Sequence, residues 1–264
     1  MAVTQTQAPA QPAITWFHSF RFKDGMQVSG KKPLDRLNAE AELIFKIPVN
    51  GKSVLDIGAW DGFFSFEAEK RGASRILATD HFCWSGPGWG TKAGFDFAHG
   101  KLGSSVASAD VDVFDLSPQR FGSFDIVLFL GVLYHLKNPL GGLEVVYSMT
   151  NECAVIETMV DALDVRAPVM RFYLGNELSD DPTNFWGPNL LCLRKMLLEV
   201  GFQSTIFSSV EGRVLRNGRM VDAAGRDLTS CRVVVHAWKS RQERLRDVLD
   251  RWWAPSGRYV PPSS

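Results

Sequence analysis

The fold of this chain is decided by one stretch of sequence, Val54–Leu55–Asp56–Ile57–Gly58–Ala59–Trp60–Asp61–Gly62–Phe63–Phe64–Ser65. Its apolar beginning predicts a buried parallel strand, and the apolar residues after the second glycine predict the start of a helix. Glycine at the end of a strand allows a sharp turn and lets the backbone approach a ligand closely. The stretch therefore predicts a strand, a ligand-binding turn and a helix, in that order.

Apolar segments and helical segments alternate on both sides of this stretch. A helix is predicted at 33–46, and strands are predicted at 53–58, 75–80, 110–114, 124–130 and 153–158. Strands that alternate with helices predict an α/β fold with a Rossmann-like, doubly wound parallel sheet, whose ligands bind beyond the carboxyl ends of the strands. The later sequence predicts C-terminal additions, namely helices at 190–200 and 242–253, strands at 203–209 and 231–238, and a hairpin or loop at 214–227.

The composition is that of a single globular domain. The chain has 264 residues, 45% of them apolar, and its 29 basic and 29 acidic side chains give a net charge of zero. Zero net charge argues against a strongly basic nucleic-acid-binding protein but leaves room for a local basic patch. We predict one domain over 14–254, a disordered tail at 1–13 and a second tail at 255–264. With no apolar run that could span a membrane, no evident signal peptide and four separated cysteines, a reducing cytoplasm is expected.

The turn and the strand after it indicate the type of cofactor. Asp80 ends the second strand of the sheet, where an acidic side chain can accept both hydroxyls of a ribose. A dinucleotide would need a further glycine inside the turn, where this chain has Trp60. Asp56 and Asp61 place negative charge beside the turn, which repels a pyrophosphate but suits the amino group and sulfonium of S-adenosylmethionine (SAM). The residues therefore predict SAM.

With these residues in place, the chain resembles class I SAM-dependent methyltransferases over residues 51–160. Over about 16–240 it is similar to the family related to the tRNA wobble-uridine 5-oxyacetic acid methyltransferases. The stretches that carry the resemblance are Gly51–Phe64, Ala78–Asp80, Gly131–Leu136, Glu157–Thr158 and Phe185–Asn189. The family includes enzymes that act on small molecules, and the acceptors that the resemblance implies include sugar and glycoside hydroxyls such as those of glucosylglycerate.

The resemblance also implies a set of cofactor contacts. The glycine turn would surround the methionine part, residues after the next two strands would hold the ribose and adenine, and the end of the 124–130 strand would back the sulfur. In chain order these residues are Asp56, Gly58, Ala59, Gly62, Asp80, His81, Asp112, Val113, Leu130 and Gly131.

Three residues are the catalytic candidates, since the resemblance places Tyr134 and His135 opposite the methyl group. A neutral histidine with a pKa near 6.5 can remove the proton of a hydroxyl, so His135 is the predicted general base, with simple packing in the pocket as the alternative. Glu157 would orient His135 or bind an acceptor hydroxyl; its alternatives are a helix cap or a surface ion pair. Tyr134 is predicted to shape the methyl pocket.

Two segments are predicted to close over the site, an N-terminal aromatic block around 16–22 and a lid at 161–190, which is long for a plain connection. The candidate substrate-binding residues, most of them with packing as the alternative, are Trp16, His18, Arg21, Tyr134, Glu157, Trp186, Asn189 and Arg232. Asp180 and Asp181 with Glu157 could hold Mg²⁺, although a solvated acidic loop is favoured.

We expect an enzyme that transfers a methyl group from SAM to a hydroxyl of a small polar metabolite, with a sugar or glycoside as the first choice. One alternative is a tRNA wobble-uridine methyl- or carboxymethyltransferase. The resemblance implies that such enzymes hold a carboxylated cofactor with basic residues and a tyrosine; Tyr134 matches the tyrosine and Arg232 lies near one basic position, but Asn38 stands close to the other. The tRNA alternative predicts a basic surface built from Arg21, Lys23, Lys31, Lys32, Arg36 and Arg232.

A second alternative is a SAM-binding protein without catalysis. Trp252 and Trp253, on the predicted last helix, indicate packing or a contact in a homo-oligomer.

Overall fold

The computed structural model describes residues 14–209, 213–214, 220–222 and 224–240. The strands are β1 (Phe20–Arg21), β2 (Gln27–Val28), β3 (Ser53–Ile57), β4 (Arg75–Asp80), β5 (Ala107–Asp110), β6 (Phe124–Leu130), β7 (Thr150–Val160), β8 (Met170–Phe172), β9 (Trp186–Pro188), β10 (Ser204–Ser209), β11 (Arg213–Val214), β12 (Met220–Val221) and β13 (Cys231–Trp238). The helices are α1 (Leu34–Ile44), α2 (Phe63–Lys70), α3 (Ala93–Leu102), α4 (Pro118–Phe121), α5 (Pro139–Met149) and α6 (Leu190–Glu199).

Seven strands form the main sheet, in the order β10-β13-β7-β6-β3-β4-β5. The pairs from β7 to β5 are parallel, whereas β13 runs antiparallel to β7 and β10 antiparallel to β13. The chain leaves β3 towards β4 and returns on the other side through β6, so the strand order reverses between β3 and β6. Ligands of doubly wound sheets bind at such a reversal, and the predicted fold class is confirmed.

The core lies on both faces of this sheet. Leu55, Val127 and Phe129 point into one buried apolar cluster, while Val54 and Leu128 point into the other. Successive side chains of a strand point to opposite faces, so a strand covered on both sides needs apolar residues at nearly every position. The continuous apolar run at 126–130, and the apolar residues on both sides of Asp56 in β3, follow from this burial.

The predicted strand at 110–114 is wrong. The strand is β5, which ends at Asp110, and Val113–Asp115 forms a single turn of 3₁₀ helix instead. The side chain of Asp112 accepts the N–H of Phe114 at 2.9 Å, and this local bond favours the turn over an extended chain. The alternating pattern that suggested a strand is therefore overridden by a capping side chain.

Several predictions fall outside the described residues: the tails at 1–13 and 255–264, the helix at 242–253 and the paired Trp252 and Trp253. The hairpin predicted at 214–227 is present in part, because β11 and β12 pair antiparallel. In the part of the chain that the structure describes, no helix has the length and apolar character needed to cross a bilayer.

The predicted lid at 161–190, called the lid below, contains a short antiparallel pair, β8 with β9, in which Met170 faces Pro188. Asn189, which follows this pair, was predicted to bind substrate, and the structure corrects this. It is 2% exposed, and its Oδ1 accepts the N–H of Cys192 at 2.9 Å as the N-terminal cap of α6. Its Nδ2 donates to the carbonyls of Val165 and Ala167 at 3.1 and 2.6 Å. Asn189 therefore joins the lid to α6.

Replacing Asn189 tests this structural role. We expect Asn189→Ala to lower the free energy of unfolding by about 2 kcal/mol, because a helix cap and two buried amide bonds are lost. Asn189→Ser keeps a capping oxygen but has no amide donor, and it should lose about half as much. Denaturant unfolding followed by circular dichroism measures both variants. An unchanged stability together with weaker acceptor binding would restore the substrate-binding role.

Candidate active site

The glycine turn after β3 is held close to its neighbours. Gly58 has φ +79°, and its N–H donates to the carbonyl of Thr79 at 2.8 Å. A side chain at Gly58 would collide with Val132, which follows β6. Gly62 has φ +83° at the start of α2, and a Cβ there would lie 2.6 Å from the ring of Phe95. The turn is thus compact, and only glycine fits at its two ends without strain.

Three aspartates surround this turn. Burial raises the pKa of Asp56 to about 7 and that of Asp61 to about 6, and it also raises the pKa of Asp80. Asp56 accepts the hydroxyl of Ser65 at 2.6 Å. Asp80 accepts the N–H groups of Trp60 and Cys83 at 3.0 and 2.9 Å. These carboxyls give the turn an acidic environment that fits a cationic group.

Asp61 also fixes the N-terminal segment to the turn. Its Oδ2 accepts the N–H groups of Phe17 and His18, both at 2.8 Å. Its Oδ1 is buried and has no donor among the described residues. A buried carboxylate oxygen without a donor is costly to ionise, in keeping with the raised pKa of Asp61.

The residues predicted to contact the adenine differ in their exposure and in their hydrogen-bond partners. His81 follows β4 and its Nδ1 lies 2.9 Å from Asp110 Oδ1, and this partner raises the pKa of His81. Asp112 is exposed and already binds the N–H of Phe114, whereas Val113 is half-buried. Asp110 was not predicted as a site residue, although its place at the end of β5, beside β4, could have indicated it.

The ends of β6, β7 and β13 bring together a buried polar cluster. Arg232 donates to both carboxylate oxygens of Glu157, with Nη2 to Oε2 at 2.7 Å, and to the hydroxyl of Tyr134 at 2.9 Å. Burial alone would raise the pKa of Glu157, but the charge and hydrogen bonds of Arg232 hold it below its usual range. Burial also raises the pKa of Tyr134. Gly131, with φ +74°, lines this cluster and its N–H donates to the carbonyl of Glu157.

Glu157 therefore does not orient His135, contrary to one prediction, and its ion pair is buried rather than on the surface. The lid supplies the orienting contact instead. His135 Nδ1 lies 3.0 Å from both the carbonyl oxygen and the hydroxyl of Thr183. Because a carbonyl only accepts, Nδ1 carries the proton and Nε2 is left as the basic nitrogen. Burial lowers the pKa of His135, which keeps the ring neutral.

Thr183 is itself held in place. Its hydroxyl and its N–H donate to Oδ1 of Asp181 at 2.7 and 2.9 Å. Two residues further on, the N–H of Phe185 donates to the carbonyl of Tyr134 at 2.8 Å. The lid is thus bonded directly to the turn that carries Tyr134 and His135. Sequence reasoning missed Thr183, because nothing local connects it to a histidine 48 residues earlier.

Three other predicted substrate residues pack against aromatic side chains. His18 is buried against Phe63 and Phe64, and burial lowers its pKa to about 3. Trp16 packs against Phe20 and Phe97, 5.6 and 5.8 Å between ring centroids, which favours the packing alternative. The ring of Trp186 packs on Phe172 at 5.0 Å, whereas Arg21 is exposed on β1.

The predicted Mg²⁺ site is not assembled. Within the described ranges, no group of three or more histidines, cysteines, aspartates or glutamates is arranged to hold a metal ion. Glu157 is bound by Arg232, and Asp181 by Thr183.

The tRNA alternative predicted a basic surface that includes Lys32 and Arg36. In the structure, both of these side chains form ion pairs with the buried Glu40.

Solved structures establish the class of fold. The chain superposes on the N-terminal domain of EvdMO1, crystallised in the presence of SAH and D-fucose, with a TM-score of 0.60 and 19% identity over 84% of this chain and 91% of that one. It also matches a putative SAM-dependent methyltransferase from Listeria monocytogenes, with a TM-score of 0.54 and 16% identity over 79% of this chain and all of that one. The chain has the fold of SAM-dependent methyltransferases, as predicted.

Two curated relatives share one name. A tRNA U34 carboxymethyltransferase of Helicobacter pylori (strain Shi470) is 25% identical over 181 residues, which is 66% of this chain and 65% of the relative. The enzyme of the same name from Campylobacter hominis is 33% identical over 103 residues, 39% of this chain and 34% of the relative. The chain thus spans less than two thirds of these relatives. No family model matches it.

The protonation of His135 can be measured without any substrate. We expect a neutral ring at pH 7 that is protonated at Nδ1, because the Thr183 carbonyl accepts that proton and burial lowers the pKa. Long-range ¹H–¹⁵N NMR spectra of the five histidines report both properties. His81 is the internal reference, since its pKa is shifted in the opposite direction. Protonation at Nε2 would contradict the assignment.

Proposed function

We propose that this protein is a SAM-dependent O-methyltransferase that acts on a hydroxyl of a small polar molecule, a sugar or glycoside in the first instance. The observation that carries the proposal is His135, a neutral ring whose Nδ1 is engaged by the lid and whose Nε2 is left basic. A hydroxyl is a poor nucleophile until a base takes its proton, and His135 has the protonation state for that task.

The residues around the glycine turn fit SAM. Gly58 and Gly62 keep side chains out of the turn, so the methionine part could approach the backbone closely. The acidic environment of Asp56 and Asp61 suits the ammonium group, and Asp80 would accept the ribose hydroxyls. The sugar preference is supported by the EvdMO1 domain, which was crystallised with SAH and D-fucose present.

The reaction would be an in-line displacement. SAM supplies an electrophilic methyl group on a positively charged sulfur. His135 Nε2 would take the proton of the acceptor hydroxyl as its oxygen bonds to the methyl carbon, and the electron pair of the carbon–sulfur bond would stay with the sulfur. Tyr134, Glu157 and Arg232 position the acceptor, and the lid excludes water from the reacting groups.

A second candidate is the carboxymethyl transfer of the curated relatives, which the hydrogen bond between Arg232 and Tyr134 favours. A guanidinium beside the transferred group could bind a carboxylate. Here, however, Glu157 already occupies that guanidinium on two of its nitrogens, so the cluster carries no net positive charge. Lys32 and Arg36 share the single carboxylate of Glu40, so one positive charge is left over there. The pairing of Arg232 with Glu157 supports an uncharged acceptor as the first choice.

The experiment is incubation of labelled SAM with a low-mass metabolite extract and, separately, with bulk tRNA. We expect label in a polar product of low mass, and we expect His135→Gln to lower kcat by about 100-fold, because general base catalysis is lost. The dissociation constant for SAM, measured by calorimetry, should change less than about twofold in that variant. His99→Gln, on α3, is the matched control.

The outcomes separate the candidates. Label in tRNA, or transfer only from a carboxylated SAM, would favour the second candidate. Binding of SAM without transfer to any extract would indicate a non-catalytic SAM-binding protein, and absence of SAM binding would refute the whole proposal.

The aspartates at the turn make a prediction about pH. Asp56 and Asp61, with pKa values near 7 and 6, are protonated in acid and ionise as the pH rises. The SAM ammonium stays charged up to about pH 7.7, so SAM affinity should rise roughly tenfold from about pH 5 to pH 7.5, and binding in that range should release protons.

Calorimetry in buffers of different ionisation enthalpy measures both effects. Asp56→Asn should flatten the pH dependence, because a neutral amide replaces the titrating carboxyl. Asp125→Asn, at the other end of the sheet beside Ser53, is the matched control. A SAM affinity that is independent of pH would show that these carboxyls do not face the ammonium group.

A further inference from the structure

Trp89 is a large aromatic side chain that remains 41% exposed beside the catalytic candidates. Its ring centroid lies 5.8 Å from that of His135, in an edge-to-face arrangement. It belongs to the loop between β4 and α3, which neither the cofactor prediction nor the lid prediction included. An exposed aromatic surface next to a proposed base is the kind of surface that ligand pockets use.

Neighbouring aromatic side chains hold the ring of Trp89 in position. Trp60 stacks on Trp89 with ring centroids 5.7 Å apart and planes at 22°, and Phe17 stacks on Trp60 with centroids 4.3 Å apart and planes at 9°. Phe82 meets Trp89 edge-on at 5.2 Å. A side chain at Gly90 would lie 3.0 Å from Trp60 Nε1, so the glycine allows the loop to approach. Trp89 is therefore a supported platform rather than a free loop residue.

We propose that Trp89 is the platform on which the acceptor binds, and that the acceptor is a pyranose ring packed by its apolar C–H face against the indole. This inference rests on the proposed function and names the substrate-binding surface of that site. A pyranose has an apolar C–H face and a polar edge of hydroxyl groups. The indole of Trp89 would pack against the apolar face, while His135 and the Glu157–Arg232 pair would bind the hydroxyls.

Arg232 and His135 each have a nitrogen that could form a hydrogen bond with a ligand. Arg232 uses Nε and Nη2 on Glu157 and Tyr134, and within the described ranges Nη1 has no acceptor. Nη1 could donate to a sugar hydroxyl, and His135 Nε2 could accept from the hydroxyl that reacts. A nucleobase could also stack on Trp89, but the zero net charge of the chain and the paired charges at the site favour an uncharged ring.

The test uses the full chain loaded with SAH and three saccharide probes: methyl β-D-glucopyranoside, methyl α-D-glucopyranoside and D-fucose. Saturation-transfer NMR measures contact of each probe with the protein. We expect the wild type to transfer saturation to the C–H protons of at least one probe. Trp89→Ala should lose about 90% of that signal and Trp89→Phe should keep part of it, because a smaller ring still offers an apolar face.

Leu198→Ala is the matched control, since Leu198 is an apolar side chain of similar exposure, 42%, on α6. The SAM dissociation constant should change less than about twofold in every variant. A loss of SAM affinity in Trp89→Ala with the saccharide signal intact would assign the indole to the cofactor. Saccharide signals absent in the wild type, or equal in Trp89→Ala, would overturn the platform.

Failure of the proposed function can be distinguished from failure of the Trp89 platform. If the proposed function is wrong, the wild type and the Trp89 variants alike would bind no SAM or transfer no methyl group. A wild type that methylates a low-mass acceptor, with an unchanged KM for it in Trp89→Ala, would overturn the platform alone. Quenching of tryptophan fluorescence by a single-stranded RNA that is lost in Trp89→Ala, without any saccharide signal, would replace the pyranose by a nucleobase.

Discussion

The buried ion pair between Glu157 and Arg232 is the interaction on which the rest of the site depends. In the antiparallel register of β7 with β13, Val234 lies opposite Glu157 and Met159 opposite Arg232, so the two charged side chains share one face of the sheet, two residues apart. Burying either charge alone would cost several kcal/mol, roughly 3–5 in comparable cases. The last strand is therefore part of the site, because Tyr134, Glu157 and the guanidinium adopt this arrangement only when β13 is in place.

The charges near this pair also differ from those near the glycine turn. On the side of the glycine turn, Asp56, Asp61 and Asp80 are carboxyls whose pKa values burial raises, and a cation there would favour their ionised forms. At the proposed acceptor side, the charge of Arg232 is paired with that of Glu157. A methyl donor carries its positive charge on sulfur and loses it during transfer, so acidic side chains near the donor and a paired guanidinium near an uncharged acceptor match the two partners of the proposed reaction.

The sequence predicted the parts of the structure that local pattern determines. The apolar runs of β3 and β6 and the glycine turn are visible because strands buried on both faces need continuous apolar residues. Contacts between distant segments were not visible. Thr183 reaches His135 across 48 residues, and Asn189 resembled a polar lid residue although it caps a helix. Trp89 lay in a segment that pattern analysis could describe only as rich in glycine and tryptophan.

The lid and the proposed base are therefore one mechanical unit. Thr183 provides the acceptor for Nδ1 of His135, and Phe185 binds the backbone of the adjacent Tyr134, so the lid cannot move away without releasing both residues. A histidine freed from that carbonyl would be better solvated and could exchange its proton between the two nitrogens. Closure of the lid would thus exclude water and set the protonation of the base in the same step. A polar acceptor needs both conditions, because a base exposed to water would remove protons from solvent as readily as from a sugar hydroxyl.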